Sequence, residues 1–267
     1  MEKLVMSYSI FPEDDATVRE DVTRILASGS ALWKRLRSAR LYLTGGTGFF
    51  GSWLLRTLFA ANDAFSLNLS ITVLSRDPER FGATRPRRAS REELRLLRGN
   101  VEDFQPPDEA FDYIIHAATD ADAETNRRFP RSVLSANALG THNTLEMARR
   151  HRASGYLFVS SCAVYGSPPL KRIPETCLWG PNPADPRAVY GEAKRVGEML
   201  CSLAANEGVP ARIARVFSVV GPGIPLDRHF AVGNFIRDAI AGGPIVLSGD
   251  GTPIRAYMYI GDLVTWL

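Results

Sequence analysis

The chain reads as an α/β protein built on a doubly wound parallel sheet, followed by a small C-terminal part. Three observations predict this. Apolar runs of strand length alternate with helical stretches between residues 40 and 216, the signature of βαβ units. A glycine-rich turn, Thr44-Gly45-Gly46-Thr47-Gly48-Phe49-Phe50-Gly51, joins the first run to the first helix of that series. Further small and polar residues fall at the carboxyl ends of later runs, where open sheets of this class bind ligands.

Taken in order, residues 1–39 form an N-terminal helical extension. Glu13 to Leu26 carries Val18, Val22, Ile25 and Leu26 at helical spacing, and Ala31 to Ala39 suggests a second short helix. The first strand is Leu41-Tyr42-Leu43, and Ser52 to Phe59 is helical. Strands follow at Leu69–Leu74, Leu94–Leu97, Asp112–His116, Gly155–Ser160 and Ala211–Val216, with helices over Val133–Arg150 and Tyr190–Asn206. The stretch 167–189 is rich in Pro and turn residues and reads as an ordered loop over the site. Residues 217–267 hold Gly221-Pro222-Gly223, a helix around Gly233–Ala241 and the run Ile245-Val246-Leu247. They read as the start of a substrate-binding part.

Composition narrows the function classes. A net charge of +3 over 267 residues is too small to argue for nucleic acid. The arginines at 85, 87, 88, 91, 95 and 98 are interrupted by Glu92 and Glu93 and read as a solvated face. Cys162, Cys177 and Cys201 have no metal-ligand spacing, so no metal is expected, and a reducing cytoplasm fits them. No run reaches the ~18 apolar residues of a membrane span.

The glycine turn sits between a strand and a helix, as a dinucleotide fingerprint requires. Gly45 permits the tight turn, Gly48 lets a pyrophosphate approach the backbone, and Gly51 lets the helix pack on the strand. Exposed N–H groups and the helix dipole favour the anion. Tyr190 and Lys194 lie four positions apart, on one face of a helix. An ammonium beside the phenol is expected to lower its pKa from about 10 and make it an acid/base.

The motifs TGGTGFFG (44–51), HAAT (116–119), NALGTHNTLE (137–146), SSCAVYG (160–166), YGEAK (190–194), ARVFSVVGPG (214–223) and RAYMYIGDL (255–263) stand in one order. Together they resemble the extended short-chain dehydrogenase/reductase family, the NAD(P)-dependent nucleotide-sugar epimerase/dehydratase group, whose dinucleotide domain is a Rossmann fold. The resemblance covers about residues 40 to 266, with the dinucleotide domain at 40–216 and an incomplete substrate part at 217–267. It implies that Tyr190 is the catalytic acid/base and that Lys194 holds the nicotinamide ribose. Ser161 would bond the reacting sugar oxygen, Asn137 would stand beside the active site, and Arg255 would clasp substrate phosphates. It also implies a cofactor surface of Gly45, Thr47, Gly48, Phe49, Phe50, Gly51, Ser75, Arg76, Asn100, Val101, His116, Ala117, Ala118 and Ser160, together with Tyr190 and Lys194. Ser160 and His116 also read as structural hydrogen bonders.

The implied reaction is hydride transfer at a sugar carbon, C4 for an epimerase. The alternatives are an NADPH-dependent reductase of a keto sugar nucleotide or another carbonyl, and a non-catalytic dinucleotide-binding protein. Cys162 and Ala163 stand where the dehydratases carry acidic residues, which disfavours dehydration. Ser75-Arg76 closes the second strand where NAD users place an acid, and this leans slightly to NADP, although Asp77 could restore NAD binding. Family members run some tens of residues past the segment resembling 255–263, so part of the substrate domain is expected to be missing. The resemblance further implies a nucleotide-sugar substrate and a possible homodimer through Leu134–Arg149 and Glu192–Ala205.

Overall fold

The sheet has six parallel strands in the order β3-β2-β1-β4-β5-β6. They are β1 (Arg40–Thr44), β2 (Ser70–Ser75), β3 (Leu94–Arg98), β4 (Tyr113–His116), β5 (Gly155–Ser161) and β6 (Ala211–Val216). The structure is a computed structural model and describes residues 15–119, 122–226, 230–247 and 249–267. The strand order reverses between β1 and β4, which opens a crevice at their carboxyl ends. Strands β1 and β2 are buried on both faces after their first residue, as central parallel strands are.

The alternation of strand side chains divides the core. Leu41, Leu43, Ile71 and Val73 enter one apolar cluster, while Tyr42, Leu74, Ile114 and Phe158 enter another. The first cluster packs against α1 (Ala16–Ser28), the helix α3 (Phe49–Phe65) and the last helix, α10 (Ile260–Trp266). The second packs against α7 (Pro130–His151) and α8 (Val189–Asn206). The remaining helices are short: α2 (Ser30–Trp33), α4 (Pro78–Thr84), α5 (Pro86–Ala89), α6 (Ala123–Arg128) and α9 (Ala231–Ile240). A separate parallel pair, β7 (Ser218–Val220) and β8 (Tyr257–Tyr259), lies beyond the sheet.

Several expectations change. Helix α1 starts after Asp15, whose carboxylate accepts the Val18 N–H at 3.2 Å, and Glu13 lies outside the described residues. The second short helix ends at Trp33 and continues only as one 3₁₀ turn, Lys34–Leu36; Arg37 then takes an extended ψ of 128° and Ser38 a left-handed φ of 57°. The run Ile245-Val246-Leu247 is exposed and irregular.

The divisions near residues 39 and 216 are crossed by packing. Val18, Val22 and Ile25 of α1 share a core with Ile260, Leu263 and Val264 of α10, and each buried side chain contributes about 1.5–3 kcal/mol. The Tyr259 hydroxyl donates to the Asp21 carboxylate, and Arg24 lies 3.7 Å from Asp262.

The arginine cluster is compensated rather than free. Arg91 pairs with Asp63 and Glu93, Arg95 with Glu109, and Arg98 with Glu79, while Arg88 is buried. Among the described residues, no helix is long and apolar enough to cross a membrane, and no cluster of His, Cys, Asp and Glu could hold a metal ion.

Candidate active site

The loop from β1 into α3 forms a cradle. Gly45 has φ +73°, and a Cβ there would lie 2.7 Å from the Ala117 backbone. That contact seats the turn on Ala117-Ala118 at the end of β4. A Cβ on Gly51 would lie 2.3 Å from the Gly45 carbonyl oxygen, so the first turn of α3 rests directly on the loop. Gly48 differs: a Cβ there would meet only the Gly45 oxygen, at 3.4 Å. It caps α3 with no side-chain partner, next to exposed Thr47 and half-buried Phe49 and Phe50. Glycines that no side chain could replace on the inner wall, and open space at Gly48, fit the pyrophosphate of a dinucleotide.

Beneath the loop, Thr44 bonds His116 Nδ1 at 2.7 Å and accepts the Ala118 N–H at 3.1 Å. His116 is buried and stacks on Phe158 at 5.7 Å. Burial, then the nearby Lys194, push its pKa down to about 3. The imidazole is therefore neutral and braces Thr44 at the end of β1.

At the end of β2, Ser75 is buried and its hydroxyl accepts the Asp77 N–H at 3.2 Å. Asp77 caps α4 by accepting the Arg80 N–H at 3.0 Å. Arg76 is exposed, and its carbonyl accepts from Arg98 at 3.3 Å. After β3, the Asn100 amide donates to Glu102 at 2.7 Å, and Asn143 of α7 donates to the carbonyls of Val101 and Glu102 at 3.1 and 2.8 Å. Gly140 lets Val101 approach α7, since a Cβ there would lie 2.8 Å from its side chain.

The reacting residues sit where β5 meets α8. Three successive β5 residues each engage one α8 residue, at spacings of four. The Val159 carbonyl accepts from Lys194 Nζ at 2.9 Å, and the Ser160 hydroxyl donates to Glu198 at 2.6 Å. The Ser161 and Thr119 hydroxyls lie close enough to the Tyr190 phenol to pull its pKa down. Thr119 in turn donates to Asn137 at 3.0 Å, and the Asn137 amide is anchored on the Val133 carbonyl at 2.9 Å. So Ser161, Thr119 and Asn137 gather at Tyr190.

The electrostatics depart from expectation. Burial raises the Tyr190 pKa, against the lowering pull of the Ser161 and Thr119 hydroxyls. Lys194 is fully buried, with Nζ 4.8 Å from the Phe158 ring and 6.0 Å from the Tyr190 ring. Burial draws its own pKa down to about 7, against the pull of Cys201 and Glu198. The expected lowering of the phenol by Lys194 is not found: Nζ bonds the Val159 carbonyl, and burial sets the direction of the Tyr190 shift.

Arg255 is exposed just before β8, with a hydrogen bond to the Ile254 carbonyl at 3.0 Å. It is near enough to Cys162 to pull that thiol down, although burial raises the thiol overall.

Sequence reasoning missed Glu198 and Arg215. Arg215 faces Ser160 in the β5–β6 register and grips Glu198 through Nε at 2.9 and 3.1 Å and a second nitrogen at 2.7 Å. Glu198 was legible as the next step of the Tyr190–Lys194 spacing; Arg215 carried no such signal. Thr119 closes the HAAT motif, where sequence spacing alone assigns it no role.

Comparison with known proteins agrees with this geometry. The model of the NAD dependent epimerase/dehydratase family matches residues 41–267. UDP-glucuronic acid decarboxylase 1 of Xenopus tropicalis is 33% identical over 231 residues, 85% of this chain and 52% of the relative. UDP-glucuronic acid decarboxylase 5 of Arabidopsis thaliana is 32% identical over 231 residues, 85% of this chain and 65% of its own. The UDP-glucuronic acid 4-epimerase from Bacillus cereus, solved with UDP-glucuronic acid and NAD, shares the fold with a TM-score of 0.70 at 23% identity, over 84% of this chain and 70% of that one. The chain thus spans about half the length of the Xenopus relative.

Proposed function

The chain belongs to the NAD dependent epimerase/dehydratase family, and on that premise we propose that it is a nucleotide-sugar 4-epimerase with Tyr190 as its acid/base. The observation that carries this is the gathering of Ser161, Thr119 and Asn137 at Tyr190, one helical turn from Lys194 and at the carboxyl end of the sheet that bears the cradle.

In this reading Tyr190 takes the proton of the C4 hydroxyl, and Ser161 donates to the C4 oxygen as it becomes a carbonyl. A nicotinamide cofactor, held on Gly45–Gly51 and by Lys194, supplies the chemistry of accepting and returning hydride at C4. Asn137 fixes Thr119, which holds the phenol in line. Lys194, with a pKa of about 7, carries a partial charge at neutral pH in the free protein. Whatever charge it gains on binding favours the phenolate. Arg255, exposed just before β8, is assigned to the substrate's diphosphate in this reading.

Relatives and a structural neighbour act on or bind UDP-glucuronic acid by name, so a UDP-hexuronate is the first substrate to try. A second reading is decarboxylation, favoured by the names of the curated relatives. Oxidation at C4 of a uronic acid makes a β-keto acid, which loses CO₂. For the cofactor we propose NAD. Arg76 could meet a 2′-phosphate, as the NADP leaning requires, but Asp77 and Glu79 follow it and oppose a further anion. The exposed Leu134 and Leu139 of α7 and Val196, Met199 and Leu203 of α8 support a homodimer through these helices.

The test is to release and identify any bound dinucleotide by mass spectrometry, titrate NAD and NADP, and follow UDP-glucuronic acid by NMR. A C4 epimer with retained NAD supports the epimerase. A pentose product and CO₂ select the second reading, and no conversion with net consumption of NADPH on a keto sugar selects a reductase.

A further inference from the structure

The cluster behind the reacting residues has no part in the chemistry above, yet it joins three segments. Arg215 holds Glu198 of α8 in a forked ion pair, and Glu198 accepts the Ser160 hydroxyl at 2.6 Å. The remaining guanidinium nitrogen donates to the Tyr165 hydroxyl and to the Glu175 carbonyl, both at 2.9 Å. Glu175 lies in the strap 167–185, whose other backbone bonds are local: Leu170 to Pro168, Cys177 to Pro174 and Asp185 to Asn182. Further along, Gly180 rests on Gly166, where a Cβ would lie 2.7 Å from its backbone, and Pro181 rests 2.9 Å from the Cβ position of Gly191. The strap therefore passes beside Tyr190. It walls an open recess of about 600 Å³ lined by Trp179, Asp185 and Arg187 among others.

We propose that Arg215 is a positioning residue: it pins the strap to the helix that carries Tyr190 and Lys194, and thereby sets affinity for the sugar nucleotide without touching it. The inference rests on the nucleotide-sugar reading above. Glu198 fixes the base of the pin to β5 and α8, and the planar fork spans Glu198, Tyr165 and Glu175 at once. A lysine could keep the ion pair with Glu198 but lacks the fork that reaches the strap.

The experiment is hydrogen exchange by mass spectrometry on the unliganded full chain, with calorimetric titration of UDP and of NAD, for the wild type, Arg215→Lys and Tyr165→Phe. Arg215→Lys is expected to keep its unfolding midpoint while peptides over 168–180 exchange about tenfold faster. Its UDP dissociation constant, or KM with a turned-over UDP-sugar, rises about tenfold while NAD affinity and kcat stay within about twofold. Tyr165→Phe, which removes one strap contact and spares the ion pair, shows a smaller change in the same direction. Strap exchange equal to wild type in both variants overturns the proposal, as does a loss of NAD affinity in step with UDP. If the wild type binds no UDP while strap exchange still rises in Arg215→Lys, the pin stands and the sugar-nucleotide reading falls.

Discussion

Lys194 donates its ammonium hydrogen to the Val159 carbonyl at 2.9 Å, inside the core and over the Phe158 ring. The bond ties the reacting helix to the central sheet. It also leaves a lysine in a place that disfavours its charge. The lowered pKa of about 7 makes the stability of the protein depend on pH. The folded state holds fewer protons on this group than the unfolded state between pH 7 and the ordinary lysine value. Stability therefore rises with pH across that window and is flat below it.

Lys194→Met tests this. The difference in unfolding free energy between wild type and variant should change by up to about 1.4 kcal/mol per pH unit from pH 7 to 9, in favour of the wild type as pH rises. Urea unfolding at three pH values measures it. Parallel stability curves would place the charge of Lys194 outside the folding balance.

Tyr190→Phe should fold and bind NAD as the wild type does, and lose turnover by about 10²–10⁴-fold. Progress curves on the active sugar nucleotide, with an NAD titration beside them, separate the two effects. Retained turnover removes the phenol from the mechanism.

The cradle glycines should separate into two kinds. Gly51→Ala drives a methyl to 2.3 Å from a backbone oxygen and should destabilise by about 1–3 kcal/mol. Gly48→Ala meets nothing closer than 3.4 Å and keeps φ at −80°, so it should fold normally. Its methyl stands where a pyrophosphate would approach, and NAD affinity should fall by about tenfold or more. Thermal melts and titrations of both variants decide. Wild-type affinity in Gly48→Ala would move the dinucleotide elsewhere.

Ile25→Ala, in the N-terminal helix, should cost about 2–5 kcal/mol, because its side chain is buried in the main core. A cost below about 0.5 kcal/mol is what a helix lying loosely on the surface would give.

Met199→Glu with Leu203→Glu should shift a dimer to monomer in sedimentation experiments, since both side chains are exposed on α8. An unchanged sedimentation profile of a dimeric wild type places the interface elsewhere.

Much of the architecture was legible because burial on both faces makes parallel strands read as continuous apolar runs, as at Ile71–Leu74. The glycine loop was legible because steric demands fix residue type at Gly45 and Gly51. What stayed hidden depends on distant partners. Strands β7 and β8 are three residues each, and their pairing joins Val219 to Met258 across nearly forty positions. The direction of the Tyr190 shift could not be read from spacing, because it turns on how deeply α8 sinks against β5. Arg215 looked like any strand arginine, since its three partners come from separate segments.

Helices α1 and α10 both lean on α3, whose first turn completes the cradle. The Tyr259–Asp21 bond joins positions 238 residues apart. Contacts of such long range close late in folding, after the entropy of a large loop has been overcome. During synthesis, the cradle helix finds α1 already made but emerges well before α10, which completes its cover. The dinucleotide site should therefore be among the last parts of the molecule to become rigid.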